Sequence, residues 1–159
     1  MDFSVLIPSA GLGTRLGISY KNLNKALVTI DNKPVISHII EKFNLKTKIV
    51  IALGHKADLL KDYLTISHPD RNIKFVFIDK YCGVGSGLGY TILQFKDHLQ
   101  TPFIFSPNDT YVEEDIPEPE FNWLGFSELK NNDQYRSLRI SETNFVQQMY
   151  EKDDFSIIH

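Results

Sequence analysis

The stretch Phe3-Ser4-Val5-Leu6-Ile7-Pro8-Ser9-Ala10-Gly11-Leu12-Gly13-Thr14-Arg15-Leu16-Gly17 decides the fold. Phe3 to Pro8 is short, apolar and without polar alternation, the pattern of a strand buried on both faces. A loop of small residues follows at once. Glycines let backbone N–H groups come close to phosphate oxygens, and open α/β sheets bind ligands at the carboxyl ends of their strands. An anion-binding loop after a first parallel strand is therefore expected. It is not a P-loop, because no Gly-Lys-Ser/Thr closes it. It is a poor dinucleotide fingerprint, because Thr14-Arg15 follow the glycines with no third glycine in register. Taken alone, the loop also suits a purely structural turn.

Two cations favour the anion. Arg15 lies within the loop and Lys25 ten residues later, in Asn24-Lys25-Ala26-Leu27-Val28. A planar fork and a mobile point charge together suit the spread-out oxygens of a triphosphate.

Moving outward, Lys48 to Leu53, Ile73 to Ile78 and Pro102 to Ser106 repeat the buried-strand pattern. Between them lie segments with helical spacing: Pro34 to Phe43 (Val35, Ile39 and Phe43 on one face), Lys56 to Leu64 (Leu59, Leu60 and Tyr63), and Leu88 to Leu99 (Ile92, Phe95 and Leu99). Strand then helix, repeated, predicts a doubly wound α/β fold with a mainly parallel, mixed sheet. After Thr110, Glu113 to Glu120 packs Pro117, Pro119 and five acids together and reads as a surface excursion. Trp123 to Leu129, Tyr135 to Ile140 and Phe145 to Tyr150 then read as strands continuing the sheet, with Asn131-Asn132-Asp133 as a turn.

Length and composition bound the function. The 159 residues suit one domain, and 42% hydrophobic residues supply a core. A net charge of −3 disfavours general nucleic-acid binding. One cysteine, Cys82, excludes internal disulfides and multi-thiolate zinc. With no basic leader and no apolar run of roughly 20 residues, a cytoplasmic location and no membrane partner are expected. His38, His55, His68, His98 and His159 lack H-E-x-x-H spacing, and no G-x-S-x-G elbow occurs.

At this point the sequence resembles a family, the nucleotidyltransferases that make activated sugars. The resemblance is carried by Gly11-Leu12-Gly13-Thr14-Arg15-Leu16, Asn24-Lys25-Ala26-Leu27 and Lys33-Pro34-Val35-Ile36, in order and spacing. It implies a Rossmann-like nucleotidyltransferase fold. It also implies nucleotidyl transfer from an NTP to a sugar phosphate or similar acceptor, with release of pyrophosphate and Mg²⁺ as cofactor. By this resemblance Arg15 holds the departing pyrophosphate, Lys25 the α-phosphate, and Asp109, in Ser106-Pro107-Asn108-Asp109-Thr110, the metal. An acid just past a strand also suits a turn. Ser9, Ala10, Gly11, Gly13 and Thr14 would contact the nucleotide. Gly85 and Ser86, in Gly83-Val84-Gly85-Ser86-Gly87-Leu88-Gly89, would touch the base, although a tight loop into a helix explains those glycines equally. Gly125 would lie beside the acceptor sugar, with Glu151 and Lys152 at its phosphate; as a lone pair, Glu151-Lys152 reads as solvated charges.

The departures carry expectations too. Asn24 stands where the family usually has Pro, which implies a looser placement of Lys25, and Asp153 replaces a Pro after Glu151-Lys152. The resemblance divides the single domain into a nucleotide-binding half, 1–110, and the start of an acceptor-binding half, 111–159. It covers about the first two thirds of the family's usual domain, so a C-terminally incomplete fold is expected. Slow turnover and self-association through Phe155, Ile157 and Ile158 are expected with it. The loop wording Ile7 to Gly13 looks most like members from capsule and surface-polysaccharide synthesis. Two alternatives stay open: a related-fold glycosyltransferase, against which the missing Asp-x-Asp counts, and a non-catalytic nucleotide-binding subunit or inactive fragment.

Overall fold

The computed structural model describes residues 2–17, 22–129 and 135–152, with the backbone only for Arg15. They form two compact units, 1–122 and 123–159.

In the first unit, β1 (Ser4–Pro8), β4 (Lys48–Leu53), β5 (Ile73–Phe77) and β6 (Phe103–Phe105) make one parallel sheet in the order β5-β4-β1-β6. Ser4 stands opposite Lys48 on one side and Phe103 on the other, and Ile49 opposite Ile73. Val5, Leu6 and Ile7 of β1, and Ile49 to Leu53 of β4, are wholly buried, as continuous apolar runs require when both faces are covered. The outer strands differ from that expectation. Phe77 is 60% exposed and Phe103 42%, because an edge strand lacks a neighbour on one side.

Between β1 and β4, Thr29–Ile30 (β2) pairs antiparallel with Lys33–Pro34 (β3). Asp31 and Asn32 both take positive φ, 50° and 62°. Two such residues in a row make the two-residue hairpin turn whose twist matches its strands. Helix α1 (Val35–Glu41) starts where Pro34 presets the chain, and buries Val35, Ile36, Ile39 and Ile40. Helix α2 (Ala57–Ser67) runs beyond its expected end and buries Leu60 and Leu64, whereas Leu59 faces out. Helix α3 (Leu88–Gln94) stops early, and the chain tightens into a 3-10 turn at Lys96–His98. Phe95 caps it, wholly buried in a cluster with Leu6, Ala10, Val50, Ala52 and Ile78, and Ile92 and Leu99 pack against that cluster. Residues 111–122 are irregular; Lys42 Nζ donates to the carbonyls of Glu113 at 2.5 Å and Glu114 at 3.2 Å.

The second unit holds an antiparallel hairpin of β7 (Ser137–Ile140) and β8 (Val146–Tyr150), with a register shift between Arg139 and Ile140. These strands pair with each other and form their own sheet, so among the described residues the expected continuation of the parallel sheet is not seen. Trp123 to Leu129, read as a strand, has no ladder partner among the described residues, and Leu124, Phe126 and Leu129 are half or more exposed. β-Branched and aromatic composition cannot make a strand without a partner to bond to. The expected turn at Asn131-Asn132-Asp133 and the apolar residues Phe155, Ile157 and Ile158 lie outside the described residues.

Candidate functional site

From β1 the chain steps outward to β4 and β5, then returns to β1's other side as β6. Such a reversal opens a crevice at the carboxyl ends of the strands, where open α/β sheets bind ligands. The loop after β1 and the loop after β6 meet there. Ser106 prolongs the pairing, its N–H donating to the Leu6 carbonyl at 2.9 Å. Asn108 and Asp109 follow.

Ser9 and Ala10 are buried under the loop, and the Ser9 hydroxyl has no hydrogen-bond partner among the described residues. Gly13 has φ 66°, a left-handed conformation, and leads into a 3-10 turn at Thr14–Leu16. A Cβ on Gly13 would stand 3.3 Å from Lys25 Cβ, so the bare glycine lets the Lys25 segment lie against the loop. Lys25 opens a second 3-10 turn, Lys25–Leu27, and its Nζ forms an ion pair with Asp109 Oδ2, a residue 84 positions on. Pro8, Gly11, Gly13, Thr14, Lys25 and Asn108 line a cavity of about 210 Å³.

The structure thus brings together Gly11, Gly13, Thr14, Lys25 and Asp109. Ser9 and Ala10 are buried and do not line the cavity. Gly85 and Ser86 do not line it either. Ser86 Oγ donates to the Gly83 carbonyl at 2.7 Å, which closes that loop on itself. The loop is pinned further where the Tyr90 hydroxyl donates to Asp79 at 2.7 Å, holding the carboxyl below its usual range and the phenol above its own. The Arg15 guanidinium lies outside the described atoms. Gly125, Glu151 and Lys152 belong to the second unit, where Glu151 pairs with Arg136 at 3.0 Å on an exposed surface.

Four residues at this end of the sheet were not among the expected site residues: Asn24, Gly54, His55 and Asn108. Asn24, expected to loosen the placement of Lys25, is itself held by three hydrogen bonds. It is wholly buried, its amide donates to the carbonyls of Ser9 (3.0 Å) and His55 (2.7 Å), and its oxygen accepts from the Ala26 N–H (3.0 Å). Gly54 lets β4's end close on the first loop, since a Cβ there would fall 2.7 Å from the Ala10 carbonyl oxygen and 2.9 Å from Tyr81 Cβ. The His55 N–H then donates to that same Ala10 oxygen at 2.9 Å.

Among the described residues, no three or more His, Cys, Asp or Glu side chains gather as a metal cage. A magnesium ion does not need one, because it binds through one or two carboxylates, waters and substrate phosphates. Asp109, paired with the cavity-lining Lys25 and next in sequence to the cavity-lining Asn108, fits that donor set.

No protein-family profile matches the chain. It is 30% identical over 155 residues to the bifunctional protein GlmU of Methanococcus vannielii, covering 96% of the chain and 35% of that protein. It is 24% identical over 154 residues to D-glycero-alpha-D-manno-heptose 1-phosphate guanylyltransferase of Campylobacter jejuni, covering 92% of the chain and 67% of that protein. The solved CTP:phosphocholine cytidylyltransferase of Streptococcus pneumoniae shares the fold, with a TM-score of 0.68, 24% identity, and coverage of 96% of this chain and 65% of that one. The chain spans about a third of the length of the GlmU relative. By these sequence matches, the parallel sheet and the glycine loop facing Lys25 and Asp109, the chain is similar to the sugar-phosphate nucleotidyltransferases over part of their length.

Proposed function

We propose that the protein transfers a nucleotidyl group from an NTP to a sugar phosphate or a similarly phosphorylated acceptor. The observation that carries this reading is the convergence of one cation, Lys25, and one carboxylate, Asp109, at the mouth of a glycine-lined cavity. An acceptor phosphate oxygen attacks the α-phosphorus; the new P–O bond forms as the bond from the α-phosphorus to the bridging oxygen breaks, and pyrophosphate leaves with that oxygen. Both reactants are anions, so catalysis rests on alignment and on offsetting their repulsion.

The backbone of Gly11, Gly13 and Thr14 would face the phosphates, with Arg15 on the departing pyrophosphate. Lys25 would hold the α-phosphate and Asp109 a magnesium ion. When bound, that ion supplies charge to the phosphate oxygens. In the structure Lys25 and Asp109 occupy each other, and substrate binding exchanges that pair for two new ones. The exchange is inexpensive. A part-exposed ion pair contributes about 0–1 kcal/mol, whereas a hydrogen bond to a charged group contributes about 1.5–3 kcal/mol. Ser9, Ala10, Gly85 and Ser86 would shape the base pocket, and Gly125, Glu151 and Lys152 would serve the acceptor. A surface-polysaccharide precursor as product is supported by the wording of the first loop, and a sugar 1-phosphate as acceptor by the heptose 1-phosphate relative. No helix among the described residues is long and apolar enough to cross a membrane.

A thermal-shift panel of CTP, GTP, UTP, ATP and dTTP with and without Mg²⁺, followed by pyrophosphate release with sugar 1-phosphates, tests this. One triphosphate should raise Tm selectively and support release. Binding without release under any acceptor would leave a nucleotide-binding subunit, and no binding would refute the proposal.

A further inference from the structure

Asn24 spends its entire carboxamide on three separate segments. Its two amide hydrogens go to Ser9, in the loop after β1, and to His55, in the loop after β4; its oxygen takes the Ala26 N–H inside the turn that begins with Lys25. The side chain is wholly buried, and so is Ala26. Lys25, the next residue, lines the cavity and pairs its ammonium with Asp109. A lysine stem has many rotamers, so the place its charge can reach is set by where its backbone is held.

We propose that Asn24 is a positioning residue for Lys25: by tying the Lys25 turn to both neighbouring loops, it fixes the point from which the ammonium reaches the phosphates of a bound nucleotide. The inference rests on the nucleotide reading above. A residue that served only to cap the turn would need the oxygen alone, yet both donors reach outside it. Those two bonds, 15 and 31 residues away in sequence, tie the turn to the cleft.

The test is a double-mutant cycle read by titration calorimetry with the magnesium complexes of CTP, GTP, UTP, ATP and dTTP. Asn24→Ser keeps an acceptor for the cap and removes both amide N–H donors, leaving one hydroxyl on a shorter side chain; Asn24→Ala serves if the Ser variant does not fold, and circular dichroism confirms the fold of each. The expected result is on the order of fivefold weaker binding of whichever triphosphate the wild-type chain takes, with no further loss when the change is added to Lys25→Ala. A folded variant with wild-type affinity overturns the proposal. So does a variant whose loss adds in full to that of Lys25→Ala. If both Asn24 variants are unfolded, the residue serves the fold and the proposal falls. If the wild-type chain binds none of the five, the nucleotide reading itself fails and takes this inference with it; failure of Asn24 alone leaves wild-type binding intact.

Discussion

Of the chain's glycines, Gly54 is the most tightly enclosed. A Cβ at that position would lie 2.7 Å from the Ala10 carbonyl oxygen and 2.8 Å from Ala10 Cβ, neither of which is a flexible tip. Gly54→Ala should therefore destabilise the fold by about 1–3 kcal/mol, the usual cost of overpacking, read as a lower urea midpoint; an unchanged midpoint would mean the loops separate freely. The charged residues predict binding effects instead. Lys25→Ala and Arg15→Ala should each weaken triphosphate binding by about 1.5–3 kcal/mol. Asp109→Asn should have two opposed effects: it frees Lys25 from its ion pair, so metal-free triphosphate binds at least as well as to wild type, and it removes the Mg²⁺ enhancement. Titrations with and without Mg²⁺ separate them, and equal enhancement in both proteins would make Asp109 a turn residue. Gly11, Gly13, Thr14 and Lys25 were singled out in the sequence as glycines and a cation after a strand, and Asp109 by the family resemblance; the structure brings these five together. Asn24 and Gly54 were not legible as site residues. Their roles depend on Ser9, His55 and Ala10, which only the fold brings beside them.

At the level of elements, α1 and α2 meet through a polar cluster that sets an acid limit on stability. Ser37, on α1, shares its hydroxyl with Tyr63 at 2.7 Å and with His68 Nε2 at 2.8 Å, at the end of α2. Burial holds the His68 imidazole below its ordinary 6.5; nearby Glu41 opposes that shift, and Arg71 and Lys33 add to it. The unfolded chain then takes up a proton that the folded ring resists, so stability declines as pH falls below about 6.5. Glu41 acts in a lower window. Its hydrogen bond from Lys33, at 2.6 Å, holds the carboxyl below 4.5, so its contribution is present above that value and fades beneath it. His68→Gln should flatten the fall in urea midpoint between about pH 7.5 and about pH 5.5 while leaving the fall below about pH 4.5 in place. A variant with the full wild-type slope in the upper window would assign the effect elsewhere. Periodicity located the parallel strands and helices α1, α2 and α3, because burial on both faces, or on one stripe, leaves a pattern in the residues. It misjudged Leu59, since Leu60 and Leu64 alone complete the buried stripe. It passed over β2 and β3, whose only signal is Asp31-Asn32 between two-residue strands. Trp123 to Leu129 shows the converse failure, strand-like composition with nothing to pair against.

For the whole molecule, core and site belong to the same unit. Every residue buried among those described, Tyr150 excepted, lies between Ser4 and Ile104, and Gly11 to Asp109 include all the cavity's loops. A fragment ending at Asn122 should therefore unfold cooperatively and keep the triphosphate affinity of the full chain; a fragment that folds and binds nothing would show that nucleotide binding draws on the second unit. The central claim, that a magnesium–triphosphate complex sits where β1 and β6 end, is tested most directly by ¹H–¹⁵N NMR titration of the uniformly labelled chain with the triphosphate selected by thermal shift. The account predicts saturable shifts in the amides of Gly11, Gly13, Thr14, Lys25 and Asn108, with Leu59 and Ile66 on the exposed side of α2 unmoved. Saturable binding that leaves the Gly11 to Thr14 amides unshifted would contradict it.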